Sequence, residues 1–280
     1  MTTTPATELP QRGLGSTTRR YIPAARVVDA GLSILVAASL ILLAEVAARR
    51  EWVSNLILPQ PSDVWDALID GWRSGLYTDH ILSTVGATLA GFSVATLVAV
   101  GLAGIFTGVP RLERIFLPFI VAFQTLPKIA IAPIIVLWLG FGTRSKVVII
   151  AAICFFPILV NTLQGLRLRD RERLELFQSL GASRWQLFRH LRVPDALPYI
   201  FAGLNIGLVF ALIGAVIAEF LGSGSGLGVL LIQQQVAFNV PGMFAVLILL
   251  MIVGLALNAL VRLAERKLLY WAADLSEQSR

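Results

Sequence analysis

Six long apolar runs, separated by shorter polar connections, dominate this sequence of 280 residues. A helix needs about 20 mostly apolar residues to cross the hydrocarbon core of a bilayer. The runs of sufficient length are 28–48, 81–109, 115–139, 147–166, 197–220 and 243–261. Since they lack the alternation of a membrane barrel, and since a helix satisfies its own backbone groups, they predict six transmembrane helices.

The composition agrees with a bilayer as the surrounding solvent. Hydrophobic residues make up 56% of the chain and charged residues 14%, whereas soluble domains carry about 25% charged residues. A water-soluble fold of this size cannot bury so much apolar surface. The single Cys154 and the widely separated His80 and His190 give no disulfide and no metal-ligand spacing, so the sequence predicts neither a metal nor a cofactor.

The basic residues are unevenly distributed between the connections, and this asymmetry predicts the orientation. Most of the 23 Lys and Arg residues lie before the first span, between spans two and three, in residues 167–195, or after the last span. The basic residues on the opposite side are Arg49, Arg50, Arg73, Arg144 and Lys146. The positive-inside rule therefore places both termini and the 167–195 loop in the cytoplasm. The net charge of +6 reflects this topology, and we expect no nucleic acid as a partner.

The spans divide the chain into three predicted parts. Residues 1–27 are polar and predict a flexible cytoplasmic arm, without the short apolar core of a signal peptide. Residues 28–266 form the predicted transmembrane domain, which includes the cytoplasmic loop 167–195. Residues 267–280 are the predicted cytoplasmic tail.

Two connections on the outer side have distinct patterns. Residues 59–80 predict an amphipathic helix that places Trp65 and Trp72 at the membrane interface. Residues 221–242 carry no charge and combine a glycine-rich start with an apolar stretch. They are compatible with a loop packed against the bundle or with a re-entrant segment, and the sequence leaves these alternatives open.

The longest cytoplasmic connection, residues 170–195, reads DRERLELFQSLGASRWQLFRHLRVPD. Apolar residues recur at helical spacing on both sides of Gly181, and Pro194 is predicted to end the second helical stretch. The pattern predicts a helix, a glycine-containing turn, a short helix and then span five. Apolar and aromatic side chains framed by arginines are typical of a surface that binds another protein. An ordinary helix–turn–helix connection is the alternative.

This segment resembles the cytoplasmic motif of permease subunits of ATP-binding-cassette (ABC) importers. The motif has Glu-Ala-Ala, three residues, Gly, nine residues, Ile, one residue and Leu-Pro. Glu175, Gly181 and Pro194 stand at the matching positions of this sequence. Larger or different apolar residues stand at the other motif positions: Leu176, Phe177, Leu191 and Val193.

The resemblance extends well beyond this loop. The segments at 126–133, 137–146, 156–162 and 218–228 are similar, in order, to the nitrate/sulfonate/taurine branch of these permeases. Together with the loop they cover roughly residues 60–265. Several segments in the family's order are a more specific signal than one glycine-containing loop.

The resemblance implies a function and a set of partners. The loop would be a coupling helix that inserts into a cleft of a separate ATPase, through Glu175, Gly181, Ala182, Ser183, Arg184, Trp185 and Pro194. The permease would work in the cell membrane as a homodimer, in contact with lipid, two cytoplasmic ATPase subunits and an extracytoplasmic substrate-binding protein. It would carry a small anion of the sulfonate, nitrate or taurine type. Because the sequence lacks a G-x-x-x-x-G-K-[ST] phosphate loop, we expect no enzyme activity in this chain and ATP hydrolysis on a partner.

Lys128 is a cation near the middle of the third apolar run, where a charge costs about 3 kcal/mol on insertion scales. One interpretation is that it attracts an anionic solute in the translocation path. The alternatives are pairing with Glu45 or Glu219, or snorkelling towards the interface. The residues predicted for the translocation path are Gln124, Lys128, Asn161 and Glu219.

Two other classes of protein remain as alternatives. A secondary transporter driven by an ion gradient would need coupling carboxylates or polar broken helices near mid-membrane, and Lys128 is the clear mid-membrane charge in the sequence. A membrane-embedded enzyme would need a nucleophile–base pair or a metal cluster, which two isolated histidines do not provide.

Overall fold

The computed structural model describes residues 23–50, 52, 54–167 and 171–269. These residues form eleven α-helices and one π-helical turn, and they contain no strand, which confirms the predicted all-α fold. Residues 1–22 of the predicted arm, residues 270–280 of the predicted tail and residues 168–170 of the loop lie outside the described residues. The helices are α1 (Pro23–Arg49), α2 (Pro61–Arg73), α3 (Leu76–Gly108), α4 (Pro110–Thr125), α5 (Lys128–Leu139), α6 (Thr143–Arg167), α7 (Arg171–Ser179), α8 (Arg184–Leu187), α9 (Val193–Phe220), α10 (Leu227–Val236) and α11 (Val240–Leu268).

The six predicted spans appear as five single helices and one broken pair. Among the described residues, α1, α3, α6, α9 and α11 are each long and apolar enough to cross a membrane. The third apolar run, predicted as one span interrupted by Lys128 and prolines, is the broken pair, because α4 and α5 meet at an angle of 96°. Leu126 is extended (φ −67°, ψ 133°), as a residue before proline prefers to be. Pro127 lacks an amide hydrogen, so the helix restarts at Lys128.

The core of the bundle is α6, which packs between α3 and α9. Close approach depends on glycine at the α9 surface, because a Cβ at Gly203 would lie 2.9 Å from the Asn161 Cβ and 3.3 Å from the Ile158 Cα. Gly207, one turn further on, contacts Ile158 in the same way. This G-x-x-x-G pair therefore packs two helices of one chain together rather than facing outward.

Helix α2 is the amphipathic helix predicted for residues 59–80. Its side chain at Val64 is buried, whereas Trp65 and Trp72 are mostly exposed. The hydroxyl of Tyr77 donates to the carbonyl of Ala67 at 2.8 Å and holds α2 against the start of α3.

The 221–242 segment, for which two arrangements were open, is a packed helix and two turns. Leu227 and Leu230 of α10 are buried among side chains of α3, α9 and α11. An amide hydrogen bond of 3.0 Å from Asn205 to Glu265 sets the register between α9 and α11. The Leu212 side chain of α9 also lies 3.1 Å from the Cβ position of Gly254 in α11. With a rise of about 1.5 Å per residue, these two contacts place the start of antiparallel α11 about 10–16 Å beyond the level of Glu219.

The turn that joins α10 to α11 contains a strained residue. Phe238 has a φ of +54°, in the left-handed region, which costs an L-residue other than glycine about 1–2 kcal/mol. Its amide donates to the Gln235 carbonyl at 3.0 Å, and the Asn239 amide donates to the Gln234 carbonyl at 2.9 Å. These two bonds form a Schellman cap, in which glycine normally takes the left-handed position.

Candidate functional site

The predicted helix–turn–helix of the 171–195 segment is present, and its turn depends on Gly181. The amide of Gly181 donates to the Gln178 carbonyl at 2.9 Å, and the amide of Ala182 donates to the Phe177 carbonyl at 3.0 Å. This is a Schellman cap at the end of α7, with Gly181 in the left-handed conformation (φ +72°). Glycine adopts this φ without steric cost, so the sequence sets the reversal of the chain at this position.

The helix after the turn begins at a capping box formed by Ser183 and Gln186. The Ser183 hydroxyl accepts a hydrogen bond from the Gln186 amide at 3.3 Å, and the Gln186 side chain accepts one from the Ser183 amide at 2.8 Å. Both bonds satisfy amide groups that the first turn of a helix leaves without partners. Ser183 therefore fixes the direction of α8.

Pro194 does not end the helix as predicted. Residues Arg184–Phe220 form one continuous helical run that contains α8, the π-helical turn Phe188–Arg192 and α9. Pro194 lies in the first turn of α9, where the amide of Val193 donates to the Phe188 carbonyl five residues earlier. Proline has no amide hydrogen and crowds the preceding turn of an α-helix. The wider π-helical turn that precedes Pro194 accommodates it.

The exposed surface of the segment connects directly to the bundle core. Trp185 is 66% exposed and its ring stacks on Phe188, with centroids 5.8 Å apart and planes 23° from parallel. Phe188 is half-buried against the core, where its ring lies 3.9 Å from the position of a Cβ on Gly104 of α3. Leu187 and Leu191 on the same helical run are buried. Trp185 is therefore connected to α3 and α9 through packed side chains.

The remaining predicted coupling residues lie on the same segment. Glu175, Gly181, Ser183 and Arg184 are exposed, and Ala182 and Pro194 are half-buried. An ion pair of 2.9 Å between Arg173 and Asp195 ties α7 to the start of α9. A second pair, between Arg167 and Glu113, joins the end of α6 to α4.

The predicted translocation residues fall in three separate places, of which the third, around Glu219, is described below. Gln124 and Lys128 line one cavity of about 610 Å³ between α3, α4 and α6. Asn161 is on α6 outside that cavity, where its side-chain amide donates to the Pro157 carbonyl at 2.8 Å. The aromatic side chains that line the cavity are Phe116, Phe119, Phe123, Phe155 and Phe156.

The alternative pairing of Lys128 with Glu45 or Glu219 is not observed. Within the part of the chain that the structure describes, Glu45 bonds to Arg49 and to Ser62, and Lys128 has no ion-pair partner. Lys128 is half-buried and lines the aromatic cavity.

Glu219 is paired with Lys146 instead. The Lys146 Nζ lies 3.8 Å from the Glu219 Oε1, and both residues are buried, with relative exposures of 6% and 1%. The Thr84 hydroxyl donates to Glu219 Oε1 at 2.8 Å, and the Gly228 amide donates to Oε2 at 2.7 Å. The carboxylate thus connects α3, α6, α9 and the start of α10.

The role of Lys146 was not predicted from the sequence, where Lys146 counted only as one of the basic residues of the outer side. The structure places Lys146 in the first turn of α6, where Nζ donates to the Ser225 carbonyl at 2.7 Å and to the Ser83 hydroxyl at 3.1 Å. The sequence did contain a sign of this pairing. Lys146 directly precedes one long apolar run, and Glu219, of opposite charge, stands at the end of another. Gly226 completes the cluster, since a Cβ there would overlap the Glu219 carboxylate.

Comparisons with known proteins identify the family. Residues 79–270 match the family described as binding-protein-dependent transport system inner membrane component. The chain is 40% identical over 218 residues to the riboflavin transport system permease protein RibX of Chloroflexus aurantiacus (78% of this chain, 81% of that protein). It is 37% identical over 232 residues to the formylaminopyrimidine transport permease protein ThiX of Halalkalibacterium halodurans (83% and 92%).

A sulfonate-type relative and a solved structure agree with this assignment. The chain is 31% identical over 242 residues to the putative aliphatic sulfonates transport permease protein SsuC of Bacillus subtilis (85% of this chain, 86% of that protein). Its fold is similar to a chain of the inward-facing MetNI methionine ABC transporter, with a TM-score of 0.57 at 22% identity, covering 69% of this chain and 94% of that one. This chain therefore belongs to the family of binding-protein-dependent inner membrane components and is a multi-pass permease subunit of an ABC importer.

Proposed function

We propose that the chain forms the translocation path of the importer as a homodimer, and that it couples to two cytoplasmic ATPase subunits through its 171–195 segment. The termini and this segment would then face the cytoplasm, as the basic residues predict. The opposite end, where Glu219 lies, would receive an extracytoplasmic substrate-binding protein. Family membership argues against the alternative of a secondary transporter.

The observation that carries the coupling role is the stacked pair of Trp185 and Phe188. An exposed indole in a basic setting is a typical anchor for another protein. Phe188 packs between Trp185 and the Gly104 position of α3. A bound ATPase that moves Trp185 would therefore displace α3 through packed side chains and not through a flexible linker. An ordinary solvent-facing loop has no need of such a connection.

The break between α4 and α5 supports the homodimer. Irregular backbone at membrane depth is tolerated where it is buried in protein or lines a wet cavity. In the described chain the α4–α5 face is largely exposed, including Phe119, Leu137 and Trp138. A second copy that packs over this face would cover the break and enclose the cavity beside it.

For the solute we propose a small planar heterocycle with a hydrogen-bond acceptor. Phenylalanine rings dominate the lining of the cavity, and Gln124 and Lys128 are its polar members. Aromatic side chains favour stacked or edge-to-face contact with a ring, and an ammonium and an amide can donate to its acceptor atoms. The names of RibX and ThiX, riboflavin and formylaminopyrimidine permeases, support this class.

A small sulfonate-like anion is the second candidate, favoured by the positive charge of Lys128 and by the name of SsuC. In that case the cation would be indispensable, whereas a neutral heterocycle would tolerate its replacement by another hydrogen-bond donor.

Co-expression with the ATPase subunit tests the proposed function. Trp185→Glu places a charge on the binding surface and is expected to abolish co-purification of the ATPase or its response to solute. Trp185→Phe keeps an aromatic surface and is the matched control, which is expected to retain assembly. Equal assembly and solute response of the wild-type and Trp185→Glu chains would contradict the coupling role.

A further inference from the structure

Helices α7 and α10 end in the same hydrogen-bond pattern but use different residues for it. In both Schellman caps one residue is left-handed, at φ +72° in Gly181 and at φ +54° in Phe238. Glycine is the ordinary residue at this position because it lacks a Cβ. Phenylalanine is strained in this conformation and has no advantage over glycine for the backbone of the turn. We therefore attribute the presence of Phe238 to its side chain.

The turn that carries Phe238 is held by two hydrogen bonds of the Asn239 side chain. The Asn239 side-chain amide donates to the Gln234 side chain at 2.7 Å, and the Asn239 Oδ1 accepts from the Gly242 amide at 3.1 Å as the N-cap of α11. The turn is therefore fixed to both α10 and α11. A ring held in one direction binds with less loss of conformational entropy than a ring on a mobile loop.

Phe238 lies outside the core, and the exposed residues beside it are partly polar. Phe238 is 78% exposed and Val236 is 74% exposed. The adjacent side chains of Gln233 and Gln235 are also exposed, and their amides would be costly to place in hydrocarbon. The start of α11 lies about 10–16 Å beyond the level of Glu219, at the end of the bundle opposite Trp185.

We propose that the tip formed by residues 236–239 inserts Phe238 into an apolar pocket of the substrate-binding protein. This inference rests on the proposed function, in which that protein meets the end of the bundle opposite the 171–195 segment. Exposed apolar side chains beside exposed amides, on a turn held by hydrogen bonds, are typical of a protein contact. Because residues 221–242 carry no charge, the contact is apolar and amide-based, and its affinity should depend little on salt.

Photo-crosslinking gives a direct test in the assembled transporter. A photoreactive amino acid is placed at position 238 of the full chain, which is assembled with its ATPase in lipid nanodiscs and mixed with solute-loaded binding protein. We expect a crosslink to the binding protein. Crosslinks confined to lipid or to the second copy of the chain would overturn the proposal.

A second measurement uses the binding-protein concentration that half-maximally stimulates ATP hydrolysis. Phe238→Gly removes the ring and relieves the backbone strain, and it should raise this concentration about tenfold without lowering the melting temperature. Phe238→Tyr keeps the ring and should behave as wild type. Ile57→Gly removes a side chain that is 71% exposed in the connection before α2, and it is the control for lost apolar surface.

The outcomes separate this inference from the proposed function. An unchanged half-maximal concentration in Phe238→Gly, in a wild-type complex that assembles and responds to binding protein, overturns the inference alone. A wild-type chain that binds no ATPase overturns the proposed function and this inference with it.

Discussion

The ammonium group of Lys146 and the carboxylate of Glu219 lie 3.8 Å apart in the interior of the bundle, although 73 residues separate them in the sequence. Each charge also has neutral hydrogen-bond partners, Ser83 and Ser225 for the lysine and Thr84 and Gly228 for the glutamate. The pair joins α6 to α9, and the backbone of the 221–228 turn closes over it.

Loss of one partner of this pair should destabilise the protein strongly. Lys146→Met leaves the Glu219 carboxylate buried without a cation, which costs about 3–5 kcal/mol in comparable buried pairs. The double variant Lys146→Met with Glu219→Gln removes both charges and should recover most of this loss. Thermal unfolding in detergent compares the wild-type chain, Lys146→Met and the double variant. A double variant no more stable than Lys146→Met would contradict the pairing.

Gly226 should tolerate no side chain. A Cβ at position 226 would overlap the Glu219 carboxylate, and the φ of +136° is unfavourable for other residues. Overpacking of this kind costs about 1–3 kcal/mol, so Gly226→Ala should lower the melting temperature. Gly224→Ala is the matched control two residues away, because nothing lies within 4 Å of its Cβ position. Equal melting temperatures for the two variants would contradict the packing described here.

Two substitutions of Gly181 should distinguish an effect of the turn's backbone conformation from an effect of added side-chain size. Gly181→Val forces a β-branched residue into the left-handed region, at a cost of about 1–2 kcal/mol, and should weaken stimulation of the ATPase by solute. Gly181→Asn introduces a residue that tolerates this conformation and should retain most of the stimulation. The Cβ position at Gly181 has no atom within 4 Å, so a clash would not explain a difference. Equal loss in both variants would argue for direct contact of the ATPase with the glycine backbone.

The aromatic cavity should discriminate between solute classes. Phe156→Leu conserves volume but removes a ring face, whose contact is worth about 0.5–1.5 kcal/mol beyond buried area. For a heterocyclic solute the concentration for half-maximal uptake should rise by about two- to tenfold. Phe220→Leu, which lies outside the cavity, is the control. Unchanged uptake in Phe156→Leu would contradict the heterocycle proposal.

Lys128 provides the complementary test of the anion candidate. Lys128→Gln keeps a hydrogen-bond donor and removes the charge. Uptake of a neutral heterocycle should persist in this variant. The Lys128→Gln protein should also insert into the membrane more readily than the wild type, because a charge at this depth costs about 3 kcal/mol. Uptake that falls more than tenfold in reconstituted vesicles would favour the sulfonate-like anion instead.

Hydrophobic length predicted the spans because it depends on each segment alone. The same holds for the amphipathic pattern around Trp65 and for the glycine turn at Gly181, both of which the structure contains. Local rules failed where neighbouring geometry decided the outcome. Pro194 was expected to end a helix, but the π-helical turn before it lets the helix continue.

The polar cluster around Glu219 could not be predicted from local patterns. Lys146 looks like an exposed residue of a short connection until α9 places a carboxylate beside it. The alternation of apolar and polar residues does not tell which helix faces which. The same limitation applies to Gln124 and Asn161, which were predicted for one path but lie in different surroundings.

Because the helix continues through Pro194, residues Arg184–Phe220 form one long helical element that can tilt as a unit. At a rise of about 1.5 Å per residue, its 37 residues extend about 55 Å, and a tilt of about 5° around one end moves the other end by about 5 Å. Trp185 lies at one end of this element and Glu219 at the other, where the hydrogen bonds of Glu219 hold the turn before α10. A small tilt about the end beside Trp185 is therefore large enough to change the distances on which the buried cluster at the other end depends.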